Sequence, residues 1–329
     1  MKTAAEIAEK LTGGDRAALA RLISWAEDGD PRFPAALAAI YSRVGRSWRI
    51  GITGPPGAGK STLANELARQ MRETGVTVSI LAIDPSSPFS GGALLGDRIR
   101  MEERTGDPGV FIRSMASRGS HGGLARAAVD ACDAMDAFGF DRVLVETVGV
   151  GQAEYDVVSA TDTVVVVLCP GAGDGIQAMK AGLLEVADVL VVNKADLPGA
   201  DRLIADLTEA VHTRGIRRDG RDAEWETPVV PAVATNGDGV DKILATIDEH
   251  KSFLEGGDLA RVRREKRIQQ VRRVVDERLN EELWERGGYS ERVDSGLRSS
   301  ATPYDVAEEI VADILRSSKH GANGETGSS

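Results

Sequence analysis

The chain has 329 residues, 42% of them hydrophobic and only 4% aromatic, and a formal net charge of −11. At roughly 150 residues per domain, that length holds one large domain with appendages or two domains. The acidic balance argues against general nucleic-acid binding, which needs a positive field to displace counterions from phosphate.

Cys132 and Cys169 are the only cysteines, and His121, His212, His250 and His320 are scattered along the chain, so neither disulfides nor a structural zinc is expected. No run of about 18 apolar residues occurs to span a membrane. The first residues, MKTAAEIAEKLTGGDRAALARL, carry acidic groups early and lack an apolar run before a cleavage site. A soluble, cytoplasmic chain without membrane contact is the expectation.

In residues 1–45, Ile7, Leu11, Leu19, Leu22 and Ile23 recur at helical spacing before Pro31 and Pro34 reset the chain, which predicts an N-terminal extension of two or three short helices. From 46 to 252, apolar runs alternate with helical stretches, and strands are predicted at RIGITG, TVSILAID, GVFIRS, DRVLVET, DTVVVVLC, DVLVVN and PVVPAV. Such runs suit strands covered on both faces, so the fold class is α/β, a mostly parallel sheet flanked by helices. The charged segment between Arg214 and Glu226 reads as a surface excursion. From 253 to 316 the pattern is wholly helical, with a stripe through Ile268, Val271, Val275, Leu279 and Leu283, followed by a second in YDVAEEIVADIL. The small polar residues 317–329 are predicted to be disordered.

Gly54, Pro55, Pro56, Gly57, Ala58, Gly59, Lys60 and Ser61 match the phosphate-binding loop GxxxxGK[ST], directly after a predicted strand and directly before an amphipathic helix. The glycines let backbone N–H groups turn inward, and the helix N-terminus adds its dipole to the same anion site. Lys60 is expected to reach the β and γ phosphates and Ser61 to ligate Mg²⁺, with Thr62 as adjacent support. The fold expectation therefore narrows to a P-loop NTPase with helical extensions at both ends.

Asn193, Lys194, Ala195 and Asp196 follow an apolar strand, where an open α/β sheet collects its ligands. Asp196 can accept from the ring N–H and amino group that guanine has and adenine lacks, and Lys194 can lay its stem along the base. Discrimination of roughly 10⁴ against ATP follows from leaving such a carboxylate unpaired. GTP and GDP are thus the expected nucleotides, and the expected activity is GTP hydrolysis.

Glu146 ends the strand DRVLVET, and Gly149 follows three residues later, in the form of a second phosphate-and-metal motif with Glu in place of Asp. The carboxylate can hold Mg²⁺ through water or orient the attacking water, and the Gly149 N–H lies where a γ phosphate would arrive; a plain strand-end carboxylate is the alternative. Asp84 and Asp97 lie on or beside a Pro-, Ser- and Gly-rich stretch, and 84–105 reads as a switch, although Asp84 could cap a turn with Pro85 and Asp97 could begin a helix. The segment CPGAGDGIQAMKAG joins a glycine-rich loop to a helix, places Gln177 and Lys180 on one face, and suggests a third mobile element, with solvated helix positions as the alternative.

Taken in order, GITGPPGAGKST, AIDPSSPFSGGALLGDRIRM, ETVGVGQAE, PGAGDGIQAMKAG and NKAD resemble the MeaB/ArgK GTPases, to which the methylmalonic aciduria type A protein belongs. The resemblance runs over about 1–316. It implies that Lys60, Asp84, Asp97 and Glu146 support Mg²⁺ binding and hydrolysis, and that the loop with Gln177 and Lys180 couples nucleotide state to a partner. It further implies a chaperone or regulator of adenosylcobalamin-dependent methylmalonyl-CoA mutase, acting in cofactor loading, protection or reactivation, and a homodimer formed through the C-terminal helices. One departure lies in PAVATNG, where relatives often show Ser-Ala and this chain has Val233 and Ala234; a backbone N–H could still meet the base. The basic stretch RVRREKRIQQVRRV at 261–274 reads as a docked helix rather than a nucleic-acid surface, because Glu265 interrupts it above an apolar stripe. Two alternatives stand beside the mutase reading: a transport-associated ATPase or kinase, a label carried by relatives, and a metal-insertion GTPase, which would need His- or Cys-rich sites that this chain lacks.

Overall fold

Each of the seven apolar runs forms a strand in the computed structural model, which describes residues 2–84, 106–116, 123–147, 159–171, 182–217, 225–299 and 301–322. The strands are β1 Trp48–Thr53, β2 Val78–Asp84, β3 Val110–Ala116, β4 Arg142–Thr147, β5 Thr163–Leu168, β6 Val189–Asn193 and β7 Val229–Ala232. They make one sheet in the order β3-β2-β4-β1-β5-β6-β7, and every pairing is parallel. Because successive side chains point to opposite faces, a strand covered on both must bury every side chain, as the central β1 and β5 do.

The helices are α1 Ala4–Thr12, α2 Arg16–Asp28, α3 Phe33–Ile40, α4 Lys60–Glu73, α5 Gly123–Phe138, α6 Leu183–Val186, α7 Ala200–Arg217, α8 Val240–Glu255, α9 Leu259–Asn280, α10 Tyr289–Arg298 and α11 Pro303–Ala322. On one face of the sheet, Leu81, Ile83, Val143 and Val145 join α5 and the apolar sides of α1, α2 and α3 in one cluster. On the other face, Ile50, Ile52, Leu144, Val165 and Val167 join α4 and α8. The helix that follows the phosphate-binding loop is therefore anchored directly behind the strand that delivers the loop.

Local sequence explains the N-terminal helices. Thr3 and Glu6 form a reciprocal capping box at the start of α1, Asp15 caps α2 through the N–H groups of Ala17 and Ala18, and Gly29 ends α2 in the left-handed region at φ 65°. Ile7, Leu11, Leu19, Leu22 and Ile23 are all fully buried.

Beneath the sheet's N-terminal edge lies an ionic cluster. Arg49 of β1 pairs with Asp133 at 2.7 Å and Asp136 at 2.9 Å on α5, and Arg267 of α9 also reaches Asp133 at 2.7 Å. Asp136 further accepts the backbone N–H groups of Gly45, Arg46 and Ser47 at 2.7, 3.0 and 2.9 Å. Burial pushes its carboxyl up, but Arg49 and these N–H donors prevail and hold it below the usual carboxylate range. Arg263 forks onto Asp162 at 2.9 and 2.8 Å, and Lys266 donates to the Thr161 carbonyl. Basic residues of the 261–274 stretch thus dock the start of α9 on acidic groups of its own chain.

The chain divides into two compact units, Met1–Arg267 and Ile268–Ser329, with the border inside α9. The N-terminal helices share a unit with the sheet: α1, α2 and α3 close over α5, and Arg263, Lys266 and Arg267 fasten the first turns of α9. Within the second unit, Tyr289 and Arg292 of α10 both bond Asp313 of α11, while Ile268, Val271, Val275 and Leu279 are exposed. The backbone of α11 is helical to Ala322. Among the described residues, no helix is long and apolar enough to cross a membrane.

Candidate nucleotide site

The sheet's C-terminal edge carries those predicted residues that the structure describes. Thr53 closes β1, and the chain turns at Gly54, whose φ of 136° and position against the Val167 carbonyl leave no room for a Cβ. Pro55 is half-buried, Pro56 and Gly57 are exposed, Ala58 is buried, and Gly59 opens α4 at φ 93°. No side chain caps α4, as an anion site at a helix N-terminus requires.

Lys60 is buried, and its ammonium donates to the carbonyls of Gly54 at 2.8 Å and Pro55 at 2.9 Å. Next to it, the Ser61 hydroxyl donates to Glu146 Oε1. Glu146 stands opposite Ile52 of β1 in the parallel register and is only 5% exposed. The predicted metal-binding hydroxyl and carboxylate therefore touch, although 85 positions separate them. Thr62 follows, half-buried on the first turn of α4.

The base loop is built onto the same loop. Asn193, 2% exposed at the end of β6, donates through Nδ2 to the Ala58 carbonyl at 2.8 Å and accepts the Ala234 N–H through Oδ1 at 3.0 Å. Gly59 makes this approach possible, since a Cβ there would overlap Asn193 Nδ2. Lys194, the one non-glycine at positive φ among the described residues (56°), donates from Nζ to the Gly57 carbonyl at 2.8 Å. Asp196 is exposed beside it.

Three of the expected residues serve the fold of the loops themselves. The Ala234 N–H is taken by Asn193, and the Val233 N–H donates to the Asp238 carbonyl at 2.9 Å; both backbone donors proposed for the base already serve the loop's own fold. Asn193, expected in the base-binding motif, also ties three loops together. Asp84 ends β2 opposite Ala116 of β3, while Asp97, Gly149, Gln177 and Lys180 lie outside the described residues. Sequence reasoning also missed the pair directly behind Glu146: Thr147 donates its hydroxyl to Thr53 at 3.0 Å, with both residues fully buried. A threonine at the exit of each of two neighbouring apolar strands is the signal that could have found it.

Comparison with known proteins identifies the family. The family model described as methylmalonyl-CoA mutase-associated GTPase MeaB matches residues 19–287. A Pyrococcus abyssi protein whose description stops at GTPase is 44% identical over 94% of this chain and 96% of its own length. The GTPase ArgK of Escherichia coli is 35% identical over 86% of each chain. The mitochondrial methylmalonic aciduria type A homolog of Mus musculus is 35% identical over 76% of this chain and 64% of its own. Among solved structures, a LAO/AO transport system kinase aligns with a TM-score of 0.70 and 27% identity over 95% of this chain and 97% of that one. With a phosphate-binding loop and a base loop joined at Asn193, and a family match over most of its length, the chain belongs to the MeaB family of P-loop GTPases.

Proposed function

We propose that the site holds GTP with Mg²⁺, and that its hydrolysis cycle regulates an adenosylcobalamin-dependent methylmalonyl-CoA mutase through cofactor loading, protection or reactivation. The observation that carries the nucleotide half is the double hydrogen bond of Asn193, which ties the phosphate loop to the proposed base loop. The donor set suits the ion: Ser61 and Glu146 offer hard oxygens in contact, while among the described residues no three or more His, Cys, Asp or Glu groups converge. Mg²⁺ commonly takes the rest of its shell from water and phosphate, and when bound it neutralises charge on the β and γ phosphates.

The chain's own groups then divide the work. Lys60 exchanges two carbonyl acceptors for phosphate oxygens, and Glu146 holds the ion through water or orients the attacking water. Asp84, Asp97 and Gly149 complete the phosphate side, and Gln177 with Lys180 forms the switch that reports nucleotide state. Asp196 accepts from the guanine N–H and amino groups, with the Lys194 stem along the ring. Because Asn193 occupies the Ala234 N–H, the exposed Thr235, next in the loop, is the residue we assign to the guanine carbonyl.

The mutase half is supported by the family's description and by the methylmalonic aciduria type A relative. The exposed stripe of Ile268, Val271, Val275 and Leu279 supports a homodimer, and a cytoplasmic setting accompanies the reading. The test is a titration of the purified chain with such a mutase, once with a nonhydrolysable GTP analogue and once with GDP. Affinities differing by about tenfold, an ordinary allosteric coupling, support the regulator; no binding in either state overturns that half and leaves the GTPase standing. γ-Labelled GTP should release its label as inorganic phosphate, whereas label retained on a protein side chain would favour the transport-kinase reading.

A further inference from the structure

The Thr53–Thr147 pair stands out because of where it lies. Ile52 and Glu146 are partners in the β1–β4 register, so Thr53 and Thr147 are the next residues of the two strands and share the opposite sheet face. That face is apolar, lined by Leu81, Ile83, Val143 and Val145. Valine would bury more apolar surface at either position with the same branched shape, and a buried hydroxyl is costly unless it is bonded. Two hydroxyls are nevertheless kept at 0% exposure and bonded to each other at 3.0 Å.

The bond joins two strand exits, each carrying part of the site. Thr53 immediately precedes Gly54, whose backbone is pressed against the Val167 carbonyl. Thr147 immediately follows Glu146, whose carboxylate meets Ser61. Strand alternation turns the Thr147 and Glu146 side chains to opposite faces, so fixing one fixes the rotation of the other about the strand axis. A cross-strand hydroxyl bond also resists sliding of β4 past β1, a motion that would carry Glu146 away from Ser61.

We propose that Thr53 and Thr147 are positioning residues for the Mg²⁺ site, acting as a strut that holds the Glu146 carboxylate in register with the Ser61 hydroxyl. The inference rests on the reading that these two groups hold Mg²⁺ with the nucleotide. It deepens that reading by assigning the metal's affinity partly to a pair that touches neither ion nor phosphate.

The double variant Thr53→Val/Thr147→Val tests it, because replacing both partners by apolar groups of the same shape leaves no orphaned hydroxyl and folding is retained. GDP binding to the purified full chain is measured by calorimetry across a Mg²⁺ titration and in excess chelator, with no turnover involved. The expected result is an apparent Mg²⁺ affinity weakened about fivefold, the factor one ordinary hydrogen bond represents, with chelator-state GDP affinity unchanged. Thr147→Ser, which keeps the hydroxyl, should restore wild-type Mg²⁺ dependence. A double variant with wild-type Mg²⁺ dependence overturns the strut while leaving the metal site intact. One that fails to fold also overturns it, since the pair is then a requirement of folding. Wild-type chain whose GDP affinity ignores Mg²⁺, as does Ser61→Ala, overturns the underlying metal reading as well.

Discussion

Gly59 and Asn193 occupy the same space by agreement: the side-chain amide of Asn193 reaches the Ala58 carbonyl at 2.8 Å through the volume that a Cβ on Gly59 would fill. Gly59→Ala is therefore expected to do two things, imposing a left-handed backbone on an alanine and expelling the amide. GTP affinity should fall by at least about tenfold, from the loss of an ordinary to strong hydrogen bond. Asn193→Ala should resemble it, since the Ala58 carbonyl and Ala234 N–H both lose their partner. Calorimetric titration with GTP checks both, and near-wild-type affinity in either variant would count against a shared receptor.

In the proposed reading, Asp196 sets base specificity by accepting where guanine donates. Asp196→Asn replaces one acceptor oxygen with a donor, which suits the carbonyl that xanthine carries in place of guanine's amino group. The expected outcome is a GTP affinity reduced by roughly 10² or more with relative preference moved toward xanthosine triphosphate, because mismatched polar groups in such sites are heavily penalised. Competition against a fluorescent guanine nucleotide measures it. Unchanged GTP preference would show that Asp196 does not face the base.

Much of this site was legible in the residues, for a physical reason. Phosphate binding relies on backbone N–H groups and glycine conformations that must be contiguous, so Gly54 to Ser61 announces itself; the seven strands are legible because two-sided burial leaves unbroken apolar runs. Contacts that join distant segments left no comparable signal. The Asn193 link to Ala58 and Ala234 depends on the curvature of three loops, and Arg49 meets Asp133 and Asp136 only because β1 and α5 stack. Trp225, within a charged segment that read as a surface excursion, anchors instead by donating to the Asp188 carbonyl at 2.7 Å and packing on His250 and Phe253.

The Asp136 carboxylate should make the fold acid-sensitive. Its carboxyl is held below the ordinary value of 3.8, so the unfolded chain takes up the proton first; the associated stability is complete above about pH 4 and is lost as pH falls through the lower folded value. Asp136→Asn leaves Arg49 short of one charged partner and is expected to cost about 3 kcal/mol at pH 7, as broken buried ion pairs do. Denaturant unfolding at pH 7 and pH 3 checks this: the gap between wild type and variant should narrow at the lower pH. A gap that is constant across both would remove Asp136 from the account of acid stability.

His250 titrates with the same outcome but in another window. The Thr163 hydroxyl accepts the Trp48 indole N–H at 2.9 Å and lies 2.9 Å from His250 Nδ1, against which it can donate only if that nitrogen is unprotonated. Burial, then the charge of Lys266, pushes the imidazole down from 6.5 to about 4, with Asp162 opposing. Between these values the unfolded chain binds a proton that the folded chain refuses, so stability declines as pH falls from about 6.5 toward 4, by at most about 3 kcal/mol. Comparing wild type with His250→Gln at pH 7.5 and pH 5 isolates it: the loss should be smaller in the variant, and an equal loss would place the titration elsewhere.

The central claim is that one receptor, built from the Lys60 loop and the Asn193 loop, hydrolyses GTP with Mg²⁺. It is tested most directly by phosphate release from GTP and from ATP, by purified wild type and Lys60→Ala, with Mg²⁺ and with chelator. The account predicts release from GTP at least about 10²-fold faster than from ATP, as a hydrogen-bonding base site should enforce, dependent on Mg²⁺ and abolished in Lys60→Ala. Equal or preferred use of ATP, or undiminished release by the Lys60 variant, would contradict it.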